Sequence, residues 1–140
     1  MPHTDTTPVS ASTASTGKGI RYIGSGEFQH AYAFSGQVNA GTGGNDISLL
    51  DFTTGSGYIV ATFQFSYATD SLDTVDCRYR IKFNGEIVFQ YWDTEDIRQG
   101  NDPHQYIPLI VPPQTHVETL ASANGQKQCS TLTGRVYGAE

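Results

Sequence analysis

The stretch Leu109-Ile110-Val111-Pro112-Pro113-Gln114-Thr115-His116-Val117 sets two prolines between two strand-like apolar runs. Proline has no amide hydrogen to donate and fixes φ near −65°, so neither residue fits inside a central ladder. The chain must break there, yet it resumes an extended pattern almost at once. A backbone crossing from one sheet to a second sheet packed on it needs such a corner. The stretch therefore predicts a sandwich in which Tyr106 to Val111 and His116 to Ala121 lie in opposite sheets and do not form a hairpin.

Working outward, the flanking sequence alternates with period two. Cys77, Tyr79, Ile81 and Phe83 stand against Arg78, Arg80 and Lys82, and Asn84-Gly85 follows directly. That dipeptide tolerates positive φ at both positions and is the strongest two-residue hairpin signal, which makes Glu86 to Trp92 the return strand. Tyr58 to Ala68 places Ile59, Ala61, Phe63, Phe65 and Tyr67 on one face. Asp46 to Phe52 and Cys129 to Tyr137 read as further strands, with Asn124-Gly125 turning into the last. From Glu27, the residues Phe28, His30, Tyr32, Phe34 and Val38 share a parity, so that strand is expected to bury them, with His30 as a hydrogen-bonded core histidine. No helical periodicity of useful length occurs. Eight short strands separated by turn signals give an all-β fold, an eight-stranded antiparallel β-sandwich of the jelly-roll kind over residues 27–140. Residues 1–26, rich in Thr, Ser, Gly and Pro, bury too little apolar surface to offset their ordering entropy and read as a flexible N-terminal arm.

Composition narrows the function classes. The chain has 140 residues and a net charge of −6, an unsuitable charge for general binding to phosphate backbones, so nucleic acid is not an expected partner. No apolar run approaches the roughly 18 residues that span a bilayer as a helix, and the first residues lack the basic start and apolar middle of a secretory signal. A soluble protein made in a cytoplasm is the expectation.

The chemistry-bearing residues give no reaction. His116-Val117-Glu118 alone is short of a cupin metal set, with His30 and His104 distant in sequence, and no metal or cofactor is expected. Gly41 to Asp46 resembles one calcium-binding nonapeptide, but such repeats act by stacking and only one copy is present. The acidic loop Asp93 to Asp102 and the group Asp70, Asp73 and Asp76 lack EF-hand spacing and read as solvated. No Gly-x-Ser-x-Gly elbow occurs. Cys77 faces the core by parity and Cys129 faces away from Leu132 and Val136, which argues against a disulfide. Arg78, Arg80 and Lys82 place three of the eight basic side chains on one face of one strand, a face suited to an acidic partner. Tyr91 and Trp92 could extend it. With Ile20 and Tyr22 they make up the candidate contact residues.

Ile107-Pro108-Leu109-Ile110-Val111-Pro112-Pro113-Gln114-Thr115-His116-Val117, followed by Leu132-Thr133-Gly134-Arg135-Val136-Tyr137, resembles the closing strands of small structural proteins of tailed-phage virions. Those are jelly-roll or β-sandwich proteins that decorate or cement capsids, commonly as trimers. The likeness is confined to the span between Ile107 and Tyr137. It implies a non-enzymatic protein at the capsid surface, bound across capsomers to the major capsid protein, with a homotrimer as its assembly and the arm as an anchor. It carries over no catalytic residue. The alternative is a carbohydrate-binding or receptor-binding β-sandwich of a virion or secreted protein, using Tyr91, Trp92 and the acidic loop.

Overall fold

The computed structural model describes residues 18–24, 29–39, 45–68, 75–95, 105–122 and 127–138. Among them are ten strands: β1 (Arg21–Ile23), β2 (His30–Phe34), β3 (Val38–Asn39), β4 (Ile47–Thr53), β5 (Tyr58–Ala68), β6 (Val75–Phe83), β7 (Glu86–Glu95), β8 (Gln105–Val111), β9 (His116–Ser122) and β10 (Lys127–Tyr137). Most of the expected arm (residues 1–17 and 25–26), residues 41–44, Asp70, Asp73, residues 96–102, His104 and Asn124-Gly125 lie outside the described residues.

The strands form two antiparallel sheets. The larger runs β1-β2-β10-β5-β8, with β3 also pairing β10, and the smaller runs β4-β9-β6-β7. Apart from the β6–β7 hairpin, successive strands from β4 to β10 alternate between sheets, so β2-β10-β5-β8 faces β4-β9-β6-β7 in a jelly roll. The hairpin turns through Asn84 (φ 52°) and Gly85 (φ 85°), the type I′ geometry that the dipeptide foretells. Two strands exceed the expected eight. β1 falls within the segment assigned to the arm and pairs with β2, and β3 is the far end of the expected first strand, separated by a break at Ser35 to Gln37 where Gly36 takes φ 74°.

The proline corner is built as expected, with β8 on the larger sheet and β9 on the smaller. Thr54, buried at the end of β4, holds it. Its Oγ1 donates to Pro112 O (2.8 Å) and accepts from Thr115 N (2.9 Å), while Thr54 N donates to Thr115 O (2.9 Å). Gln114 N donates to Gly55 O (2.9 Å), and Gln114 takes φ 53°. Carbonyls and amides that the prolines leave without ladder partners are thus satisfied by Thr54, by Gly55 O and by Thr115 Oγ1, which donates to Pro113 O (3.0 Å), as buried backbone groups require.

The sheets differ in regularity. β10 pairs β5 over eleven residues without a register shift, from Lys127↔Ala68 to Tyr137↔Tyr58. The smaller sheet carries two bulges, one at Leu49 on β4 and one at Val88 on β7. The first lets consecutive residues Leu49 and Leu50 both enter the core, where buried Thr119 Oγ1 accepts the Leu50 amide (3.0 Å). It also sets Asp51 on the outer face, directly opposite Glu118.

Ile59, Phe63, Phe65, Leu132 and Val136 of the larger sheet and Leu49, Leu50, Tyr79, Ile81 and Val117 of the smaller sheet fill the space between them. The parity read for the first strand is corrected here. Ala31 and Ala33 face in, whereas His30 is exposed and Tyr32 and Phe34 lie on the outer face. Ala31 and Ala61 flank Gly134 across three strands, and a Cβ at Gly134 would come within 2.5 Å of Val60 O. The inner row is filled by the smallest side chains, and the period of two then turns the ring-bearing residues outward. Size was a poor guide to burial in this strand.

Candidate functional site

The smaller sheet presents a charged outer face. Arg78, Arg80 and Lys82 project from β6 as their parity predicts, but a carboxylate meets both arginines. Asp46, just ahead of β4, bridges both arginines through Arg78 Nη2–Oδ1 (3.1 Å) and Arg80 Nη1–Oδ2 (2.8 Å), with these side chains only 17–23% exposed. Arg80 Nε also donates to Gln90 Oε1 (2.8 Å), and the Arg78 guanidinium lies over the Trp92 ring at 5.3 Å. Lys82 pairs across the ladder with Glu118. Trp92 is 53% exposed on this face. Tyr91 points the opposite way and stacks on Tyr79 (6.5 Å), so it does not extend the cationic stripe. Ile20 and Tyr22 pack partly buried against the core.

Beside Lys82, three metal-ligating side chains converge. His116 and Glu118 share the outer face of β9, and Asp51 reaches them from β4. One donor atom from each lies within 4.8 Å of the others, and His116 Nε2 contacts Asp51 Oδ1 at 2.6 Å. This hydrogen bond outweighs an opposing desolvation and, with the negative charges of Asp51 and Glu118 adding to it, raises the His116 pKa above its ordinary 6.5. Asn84 fixes the base of the cluster: its Oδ1 accepts the His116 amide (2.9 Å), and its own amide donates to His116 O (2.7 Å). The sequence showed His116 and Glu118 but not Asp51, 65 residues away. Only the bulge-set register of β4 brings it in.

The larger sheet presents a different outer face. Its cross-strand rows are Ile23–His30–Arg135–Val60–Ile110, then Arg21–Tyr32–Thr133–Thr62–Pro108, then Phe34–Thr131–Gln64–Tyr106, with Tyr137 and Tyr58 stacked at one end (5.5 Å). Six of the nine exposed large apolar residues among those described project here: Ile23, Tyr58, Val60, Tyr106 (65%), Ile110 (61%) and Tyr137. Its cations are Arg21, Arg135 and Lys127, and among the described residues it carries no carboxylate. Exposed apolar side chains gathered on one face, here interleaved with threonines and Gln64, mark interaction surfaces when they form large patches. Sequence reading missed it because these residues alternate with core residues in strands that appeared half-buried.

Cys77 and Cys129 are not joined. Cys77 is buried between the sheets, where Gln128 Nε2 contacts its sulfur (3.1 Å), and Cys129 lies on the outer face beside Ser66 Oγ (2.8 Å). The larger sheet separates them, as their opposite parities require.

No family model matches the chain, and no curated protein matches it in sequence. Among solved structures, the fold is similar to a chain in the structure of infectious bursal disease virus, Gx strain, at 13% identity and a TM-score of 0.48. The match covers 86% of this chain and 34% of that one. A likeness so slight carries no role across, and the jelly-roll assignment rests on strand order.

Proposed function

We propose that the chain is a non-enzymatic structural protein of a virion, a decoration or cement subunit that holds to the capsid through the outer face of its larger sheet. One observation carries this reading: the outer face of the larger sheet exposes six large apolar side chains and holds three cations, with no carboxylate among its described residues, in a protein of net charge −6. Such a face suits a relatively flat partner surface that is apolar and acidic. The two stretches behind the resemblance to phage decoration proteins supply part of it. Ile107 to Val111 belongs to β8 and Leu132 to Tyr137 to β10, the strands flanking β5, and they contribute Ile110, Arg135 and Tyr137. The partner in this reading is the major capsid protein, the assembly a homotrimer, and the arm an anchor to neighbouring subunits.

The proposed contact lies on the larger sheet and not on Arg78, Arg80 and Lys82: Asp46 bridges both arginines within the chain, and Lys82 stands opposite Glu118 in the ladder. The carbohydrate-binding alternative loses part of its platform, because Tyr91 faces inward and leaves Trp92 alone among the aromatics named for it.

The test is cosedimentation with particles of the virus that encodes the chain. Binding in fixed ratio to the major capsid protein, lost in Ile110→Lys and kept in Lys82→Glu, is the expected result. No particle association, or retention on glycans without particles, overturns the proposal. Loss in Lys82→Glu with binding kept in Ile110→Lys moves the contact to the smaller sheet.

A further inference from the structure

We propose that Asp51, His116 and Glu118 form a binding site for a first-row divalent metal ion, with Zn²⁺ the best match. The three donors come from two adjacent strands, so the ladder fixes their separation. His116 and Glu118 are two residues apart on one face of β9, and Asp51 on β4 is the register partner of Glu118. Their ligand atoms lie within 4.8 Å of one another. Zinc bonds to nitrogen and oxygen run about 2.0–2.2 Å, which places tetrahedral donors roughly 3.4 Å apart. Side-chain rotation of these three outer-face residues would have to close the remaining difference on the fixed strands. Sites on paired strands hold geometry better than sites on loops.

The donor chemistry selects the ion. One imidazole with two carboxylates suits zinc and its first-row neighbours better than calcium, which takes six to eight oxygens. Three protein ligands leave a fourth position for water or for a donor from another molecule. In the metal-free protein, His116 Nε2 and Asp51 Oδ1 share one hydrogen bond. Coordination needs the Nε2 lone pair, so the bound imidazole carries its single proton on Nδ1. Binding to the imidazolium form releases one proton to solvent. Lys82, across the ladder from Glu118, is the nearby cation that the ion competes with.

The site lies on the face opposite the apolar one, so it stands or falls independently of capsid binding. The ion would tie edge strand β4 to β9 beside the point where Lys18 O accepts the Asp51 amide (2.9 Å). Its role is then a staple at the sheet edge, with the open position available to a neighbour.

Zinc titration of the chelator-treated full chain by calorimetry tests this, alongside the visible spectrum of the Co²⁺ form. One ion per chain is expected, with a rise in Tm on the order of 10 °C at a 100-fold excess over Kd. His116→Gln, Asp51→Asn and Glu118→Gln each weaken binding by about tenfold or more, while His30→Gln on the opposite face leaves it unchanged. Lys82→Met tightens it. Because all three ligands are partly exposed, these variants are expected to fold, and amide NMR spectra verify that. In the wild type, Mn²⁺ should broaden amides centred on Asp51 and His116 to Glu118. Broadening centred elsewhere, no zinc uptake at millimolar concentration, or a His116→Gln protein that binds as tightly as the wild type overturns the proposal.

Discussion

The two outer faces of this sandwich resolve their side chains in opposite ways. On the smaller sheet Asp46 bridges Arg78 and Arg80, and Lys82 stands opposite Glu118 in the ladder. On the larger sheet the outer groups are aromatic, aliphatic, hydroxyl-bearing and cationic, with no carboxylate among the described residues, and Arg135 lies over the Tyr137 ring at 5.7 Å. The difference follows the backbone. A bulge sets the Asp51–Glu118 pair on the smaller sheet, whereas eleven residues of unshifted β10–β5 pairing keep the larger sheet regular. A charged stripe is thus a poor sign of a docking face when register places counter-charges beside it; an exposed apolar face is a better one.

The largest expected effect tests the regularity of the larger sheet. Gly134→Val forces a Cβ to within 2.5 Å of Val60 O in the strand alongside. Backbone cannot yield cheaply there, so a loss of about 3 kcal/mol in urea denaturation is expected. Asp46→Ala then breaks the self-satisfied face. It strips two largely buried guanidiniums of their shared carboxylate, at a cost of roughly 2 kcal/mol, below a fully buried pair because both retain some solvent. Arg78→Met with Arg80→Met in the same chain should recover part of that loss. Charges on the apolar face act the other way. Val60→Lys and Ile110→Lys should leave stability within about 0.5 kcal/mol while lowering particle binding at least about tenfold, or roughly 1.4 kcal/mol, enough to lose the fixed-ratio cosedimentation.

The smallest effect is in pH. The folded-state pKa of His116 is raised, so the His116–Asp51 pair contributes stability that is fully present below 6.5 and is lost as pH rises through the raised value. With chelator present, wild type should therefore exceed His116→Gln most clearly in mildly acidic buffer, and the gap should close above neutrality. A gap that widens with pH would mean that the neutral imidazole is the favoured partner of Asp51.

Much of this architecture is legible in local sequence. The proline corner, the Asn84-Gly85 hairpin and the alternation of β5 and β6 each depend on residues a few positions apart, and the structure follows them. Where the reading fails, the cause lies across the sheet. Apolar size implied that Tyr32 and Phe34 face the core, but Gly134 and Ala61 set a row in which Ala31 fits, and the aromatics turn out. Asp46 meets Arg78 and Arg80 across 32 and 34 residues, and Asp51 meets His116 across 65. No periodicity in the chain encodes those distances. They depend on a bulge whose only trace in sequence is two adjacent leucines.

β10 has one more consequence. It is the last of the ten strands, yet it lies at the centre of the larger sheet, with β2 on one side and β5 on the other. Until it arrives, the early strands have a gap where their common neighbour belongs, and β5 offers an unpaired flank to any other chain. Folding must therefore wait until residues 127–137 have been made, since non-local pairing cannot begin without them. A nascent chain stalled before Lys127 would hold half-built sheets with apolar inner faces, the species that chaperones meet and aggregates recruit.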